Sequence, residues 1–147
     1  AFFDKGLKDE FFKKHFKLAH TTQGFTMSHA GIHPNHFPFG TTLDKLVGEI
    51  LPEVWENFRF LEFKHNWLVS GAGWGRGGLH PVGGVTWLDW HEEFQPSDLA
   101  GRQIVGHTRK LEPECVEEDT RRESWNIDTE AHYGIIENWD FQTVEKP

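Results

Sequence analysis

Apolar and polar residues alternate along the chain in two rhythms, and each predicts a different kind of element. Over residues 8 to 19, KDEFFKKHFKLA, Phe11, Phe12, Phe16 and Ala19 recur at helical spacing with lysines opposite, which predicts an amphipathic helix. Thr41 with Asp44 resembles a capping box, and Leu43, Leu46, Val47 and Ile50 form a second apolar stripe. Pro52 then restarts the chain at a favoured first-turn position, so a short helix pair is expected across 42–60. Phe25, Thr26 and Met27 alternate as a half-buried strand does, and the pattern stops on His29 before Ala30-Gly31. From Trp67 the segment WLVSGAGWGRGGLHPVGG carries seven glycines between positions 71 and 84, too many for a helix or a regular strand, and reads as a loop. Beyond it, RQIVGH, SWNIDT and GIIENWDFQTVE are three further strand candidates, rich in β-branched and aromatic residues. Helices first and strands later describe an α+β chain. With no internal repeat, low-complexity run or linker, residues 1–147 read as one domain or one part of a domain.

Composition narrows the class. A chain of 147 residues, 37% hydrophobic and 14% aromatic, has enough apolar surface to bury a core. The formal charge of −8, from 23 acidic against 15 basic residues, argues against a nucleic-acid partner, because such binding depends on cationic side chains displacing counterions. Cys115 is the single cysteine, so no internal disulfide forms, which suits a reducing compartment. No apolar run approaches the ~20 residues that span a bilayer, and AFFDKGLKDEFF lacks the features of a signal peptide. A soluble, cytoplasmic protein with no membrane partner is the expectation.

The chemistry-bearing residues gather around two strand ends. RQIVGHTRKLEP repeats the arrangement of the first strand: Ile104 and Val105 deliver His107 beside a glycine. A strand that ends this way aims its imidazole beyond the sheet edge, where ligands and metals are usually held. His29 and His107 would meet if the two strands share an edge, and neutral imidazole is a common ligand for Zn, Mn and Fe. Two ligands alone do not hold a catalytic metal, and in a chain with ten histidines spacing alone favours an ordinary structural pair. His15, His20, His36, His65 and His91 are expected on the surface.

The run GWGRGG, 73–78, fits the dinucleotide fingerprint literally, but His80-Pro81 and Gly83-Gly84 forbid the helix which that fingerprint requires. The glycines would instead let backbone approach a bound group. Arg76 offers a fork of donors suited to phosphate, or is simply solvated. Without a basic face around them, Trp67, Trp74, Trp87, Trp90, Trp125 and Trp139 read as core and pocket lining rather than a stacking surface. Asp89, His91, Glu92 and Glu93 in WLDWHEEF read as a solvated face. Neither Ser70 nor Cys115 sits in a nucleophile motif, which disfavours covalent catalysis.

Taken in order, MSHAGIHP, GRGG, VTWLDW, IVGHT and WNIDTEAHYG resemble the C-terminal half of a calcineurin-like metallophosphoesterase, over roughly residues 10 to 145. The similar branch holds the Ser/Thr protein phosphatases and the symmetrical diadenosine tetraphosphatases. The resemblance implies the C-terminal half of an αββα sandwich and a centre of two divalent ions (Mn, Fe or Zn). It implies that His29 and His107 bind the second metal and that Arg76 contacts the phosphate of a phosphoester substrate, a phosphoprotein or a dinucleotide. Glu130 stands where the family's N-I-D-T-G segment has its last glycine. The family's Asp-x-His, G-D-x-x-D and G-N-H segments do not occur here, so the chain alone is not expected to be a competent phosphatase. Because it opens on Ala1, a truncated chain or a split protein completed by a second chain is expected. Two other readings stand beside this one: a non-catalytic binding or assembly module derived from the fold, and a mononuclear site in which His80 or His132 joins His29 and His107.

Overall fold

A computed structural model describes residues 10–11, 13–58 and 66–147. Residues 10, 11 and 13–15 are helical, within the span predicted for the first helix. The helix does not reach position 19, because Ala19 opens strand β1 (Ala19–Thr22), which turns at Gln23-Gly24 and pairs antiparallel with β2 (Phe25–Ser28). Helices and strands therefore interleave rather than run helices first and strands later, although the α+β class holds. The reason is pairing rather than local period: Ala19 is buried and finds a strand partner at Ser28.

Where the sequence predicts a helix pair, one continuous helical stretch runs from Leu43 to Asn57. Thr42 caps it, its hydroxyl accepting from the Lys45 N–H. Pro52 has no N–H, and its ring crowds the carbonyl four residues back. The stretch absorbs this by widening into a π turn over Leu46–Ile50, with the Leu51 N–H donating to the Leu46 carbonyl, and then resumes as the helix Leu51–Asn57. Leu46 and Leu51, both fully buried, stay on the core side across that irregularity. The glycine-rich segment holds two short helical pieces, Trp67–Ser70 and the 3₁₀ turn Trp74–Arg76. Gly77, at φ 72°, ends the turn, and no α-helix begins in GWGRGG.

The main sheet has the order β1-β2-β3-β5-β4, with β3 at Arg102–Val105, β4 at Glu114–Val116 and β5 at Ser124–Asn126. β2, β3 and β5 are parallel neighbours, and β1 and β4 close the two edges antiparallel. Nothing in the sequence pattern marks β4, whose residues lie in a charged run. The last strand candidate is in fact a hairpin of β6 (His132–Glu137) and β7 (Asp140–Glu145), turned by Asn138 and Trp139, both at positive φ. One face of the main sheet packs Leu18, Ile32, Leu46, Leu51, Val69 and Val85 into the larger core. The hairpin covers part of the other face, where Phe141 meets Phe25 and Trp125 with ring centroids 5.8 and 5.3 Å apart.

His36 departs from the surface position expected for it. It is 2% exposed, its Nδ1 accepts from the His33 N–H, and its Nε2–H donates to the Gly83 carbonyl at 2.7 Å. Both ring nitrogens are thus used in the neutral form, and burial pushes the imidazole down to about 4 from its ordinary 6.5. His15, His20 and His91 are exposed as expected, and His65 lies outside the described residues. Between pH 6.5 and about 4 the unfolded chain carries a proton on His36 that the folded chain refuses, so acidification favours unfolding. Burial lowers His33 too and adds in the same direction. We expect His36 to account for a loss of roughly 3 kcal/mol of unfolding free energy across that window. Denaturant titrations at pH 7 and pH 4.5 check it: His36→Gln, which can keep a donor toward Gly83, should be visibly less acid-sensitive than the parent.

Candidate functional site

The two strand-end histidines meet. In the parallel pair, Met27 faces Ile104, and the register carries on one step past the strands, where the Gly106 N–H donates to the His29 carbonyl at 2.9 Å. His29 thus lies opposite Gly106 with His107 next to it, and His29 Nε2 stands 2.9 Å from His107 Nδ1. Parallel strands end at the same side of the sheet, which is why residues so distant in sequence converge there. Met27, Ser28, Ile104, Gly106, Ile127 and Asp128 are among the residues that complete an open depression of about 370 Å³ around the pair.

Several independent contacts fix the backbone beneath the rings. Gln103, fully buried, returns from β3 to bond both the N–H and the carbonyl of Ile32, pinning the segment beyond His29. The Ala30 N–H donates to the Val85 carbonyl. Gly31 has φ 123°, and a β-carbon there would come within 2.8 Å of the Phe94 ring, so this position admits only glycine. His107 itself adopts φ 68°, a left-handed conformation that is costly for a residue with a β-carbon. The bonds made by its C-terminal neighbours hold it there: buried Asn126 donates from Nδ2 to the Thr108 carbonyl at 2.7 Å and accepts at Oδ1 from the Asp128 N–H. The Trp90 N–H donates to Thr108 Oγ1.

Arg76 reaches this region from the glycine-rich segment. Its Nη2 donates to Thr108 Oγ1 at 2.9 Å and pairs with Asp89 Oδ2 at 3.0 Å. Its Nε is shielded from solvent and, among the described residues, has no hydrogen-bond partner; the same holds for His107 Nε2. The structure thus brings all three predicted site residues to one place. Burial first, then the Arg76 and His29 charges, lower the His107 imidazole below its ordinary value, so it is neutral around pH 7. The ring of half-exposed Trp87 packs edge-on against His107 at 5.4 Å.

WLDWHEEF is not the solvated face its composition suggests. Asp89 caps the His91 and Glu92 amides with Oδ1 and holds Arg76 with Oδ2. Glu93 is 8% exposed, and its carboxylate accepts from the backbone amides of Gly75, Gly83 and Asp89. A signal for this exists in the sequence: a glycine-rich stretch leaves many amides unpaired, and nearby acids are acceptors for them. Only His91 and Glu92 of the four are exposed. The tryptophans also divide: Trp90 is buried, whereas Trp67, Trp74, Trp87 and Trp139 are exposed, Trp139 while its ring lies over Gly24.

The remaining candidates are placed elsewhere. His80 contacts the Trp67 ring, and His132 pairs with Glu112 and Thr129, so neither joins His29 and His107. Among the described residues no three His, Cys, Asp or Glu side chains cluster as a metal site, which removes the mononuclear three-histidine arrangement. Burial, then Glu123, raise the Cys115 thiol to about 11, which leaves it protonated and unreactive near neutral pH. Glu130 is exposed, has no positive φ and pairs with Arg109, so the carboxylate is accommodated without backbone strain.

Asn126→Ala removes both of its hydrogen bonds and leaves the Thr108 carbonyl and the Asp128 amide, in half-buried residues, without that partner. An expected loss of ~2–3 kcal/mol should appear in chemical denaturation, together with shifted His107 ring resonances in NMR spectra.

No protein-family model matches the chain, and no solved structure matches it. Over 100 residues it is 33% identical to a bifunctional uridylyltransferase/uridylyl-removing enzyme of Vibrio atlanticus (strain LGP32). That similarity takes in 56% of this chain and 11% of the enzyme, so most of that protein's length has no counterpart here.

Proposed function

We propose that this chain supplies part of a metal-dependent phosphoesterase: two ligands for one ion of a dinuclear centre and an arginine for the substrate phosphate. The observation that carries the reading is the 2.9 Å approach of His29 Nε2 to His107 Nδ1. Two nitrogens each ~2.0–2.1 Å from a first-row ion can span that distance, and so can two imidazoles sharing one hydrogen. What favours the first is the company they keep: an open depression, an imidazole held neutral, and a guanidinium brought to the residue next to His107. The residues fit a divalent ion in type and spacing, but two imidazoles are half a ligand set. The other ligands would come from an N-terminal half, on the same polypeptide or on a second chain. A divalent ion at this position would act as a Lewis acid toward a phosphoryl oxygen. The chain's own part is then positional and electrostatic. His29 and His107 present lone pairs from rigid strand ends, and Arg76 offsets negative charge that grows on the phosphoryl group. Thr108 and Asp89 keep the guanidinium from swinging into solvent.

The competing reading is a binding or assembly module. Tyr133, Ile135 and Val144 are exposed together on the outer face of the β6–β7 hairpin, and an uncovered apolar sheet face calls for a partner. Metal titration separates the two. Once completed by the N-terminal half that supplies the other ligands, the parent should retain Zn or Mn after dialysis, and His29→Ala and His107→Ala should each reduce retention at least ~10-fold. Equal retention by all three proteins would remove the phosphoesterase reading. A stable monomer that takes up no metal would favour the module. In a protein completed by the N-terminal half, His107→Ala should abolish most phosphoester hydrolysis.

A further inference from the structure

Glu93 is the acidic residue that the phosphoesterase reading leaves without a role, and it is tied to both ends of the Arg76–Asp89 ion pair. Its Oε1 accepts from the Gly75 amide at 2.9 Å, immediately before Arg76, and its Oε2 accepts from the Asp89 amide at 3.1 Å. The same Oε2 takes the Gly83 amide at 2.8 Å, which anchors the far end of the glycine-rich segment. We infer that Glu93 is a positioning residue that sets the Arg76 guanidinium for an anionic phosphoryl group, a role that rests on the proposed function of this site.

The glycine-rich segment bonds to itself at several points, including the Gly73–His80 bridge, the 3₁₀ turn and the Gly78 N–H to the Gly73 carbonyl, but the amides of Gly75, immediately before Arg76, and of Gly83 bond to Glu93. Glycine backbone is the most costly to order, so the position of Arg76 depends on whatever its amides bond to. A buried carboxylate that accepts three amides is a strong anchor, because charge-assisted bonds are roughly twice as strong as neutral ones. Space around it is already full: a β-carbon at Gly73 would lie 2.0 Å from Glu93 Oε1. The effect extends outward through shared atoms. Asp89, held at its amide by Glu93, pairs with Arg76; Arg76 donates to Thr108; and Thr108 is the neighbour of His107. One carboxylate, itself 8% exposed, therefore fixes the arginine relative to the histidine pair.

Glu93→Gln tests this with almost no change of shape, replacing one acceptor oxygen by an NH₂ that faces an amide N–H. Two readouts are needed. The first is the coupling between Arg76 and Asp89, measured by denaturation of Arg76→Ala, Asp89→Ala and the double variant. In the parent background the losses should be non-additive; in the Glu93→Gln background they should become additive. Coupling that persists unchanged, or that is absent from the parent, overturns the inference whether or not phosphate binds. The second readout is the affinity for inorganic phosphate, by calorimetry, of the metal-loaded protein completed by its N-terminal half. Glu93→Gln should weaken it about 10-fold, the equivalent of one hydrogen bond of ~1.4 kcal/mol, and should weaken it no further in an Arg76→Ala background. An equal loss in both backgrounds would make Glu93 merely structural and refute the role. Loss of the Arg76–Asp89 coupling in Glu93→Gln, in a parent that binds neither metal nor phosphate, would instead uphold the clamp and reject the phosphoesterase reading. If Glu93→Gln does not fold, Glu93→Asp, which keeps the charge but withdraws it, gives the same comparison.

Discussion

Parallel pairing of β2 with β3 governs everything at the histidine edge. Matching Met27 to Ile104 places His29 beside Gly106 and leaves His107 one residue beyond. A slip of one residue would reverse the facing of every side chain on β3, moving Ile104 out of the core and separating the rings. The burial of Phe25 and Ile104 against Phe141 therefore does more than stabilise the sheet. It selects the one alignment in which two imidazoles share a sheet edge.

Around that edge the chain is irregular, and buried polar groups replace regular ladders. Gln103 bonds both backbone groups of Ile32, Asn126 ties β5 to the turn after His107, His36 bonds Gly83, and Glu93 gathers three amides. Removing any one of these partners leaves a shielded donor or acceptor unpaired, which costs more than the bond itself contributes. The left-handed backbone at His107 belongs to the same account. Strain there persists because the residues on either side are bonded from several directions. Because His36 bonds Gly83 in its neutral form, the shape of the glycine-rich segment is linked to acidity.

Local pattern was legible where it met no competition. The strands around Phe25 and Ile104 and the strand at Trp125 follow from β-branched and aromatic runs between clear breaks. Pattern failed where a neighbour decided the outcome. Ala19 continues the helical stripe in sequence but is claimed by β2, which offers it a partner at Ser28. β4 has charged and cysteine residues with no strand period of their own, and exists because β5 had a free edge. Pro52 signals a break, yet the apolar stripe on both sides is strong enough to keep one helical stretch with a π turn inside it.

The site divides in the same way. Its ingredients could be read directly from the residues: two strand-terminal histidines next to glycine, an arginine among glycines, and an α+β chain with enough apolar surface to hold them. Folding in three dimensions was required to show that the histidines meet, that Arg76 arrives from a separate segment, and that Glu93 and Asp89 face inward rather than toward water. The difference is one of range. Side-chain period and glycine frequency act over a few residues, whereas convergence depends on strand register and on which buried amides a distant carboxylate can reach. Those are settled by packing the whole chain at once.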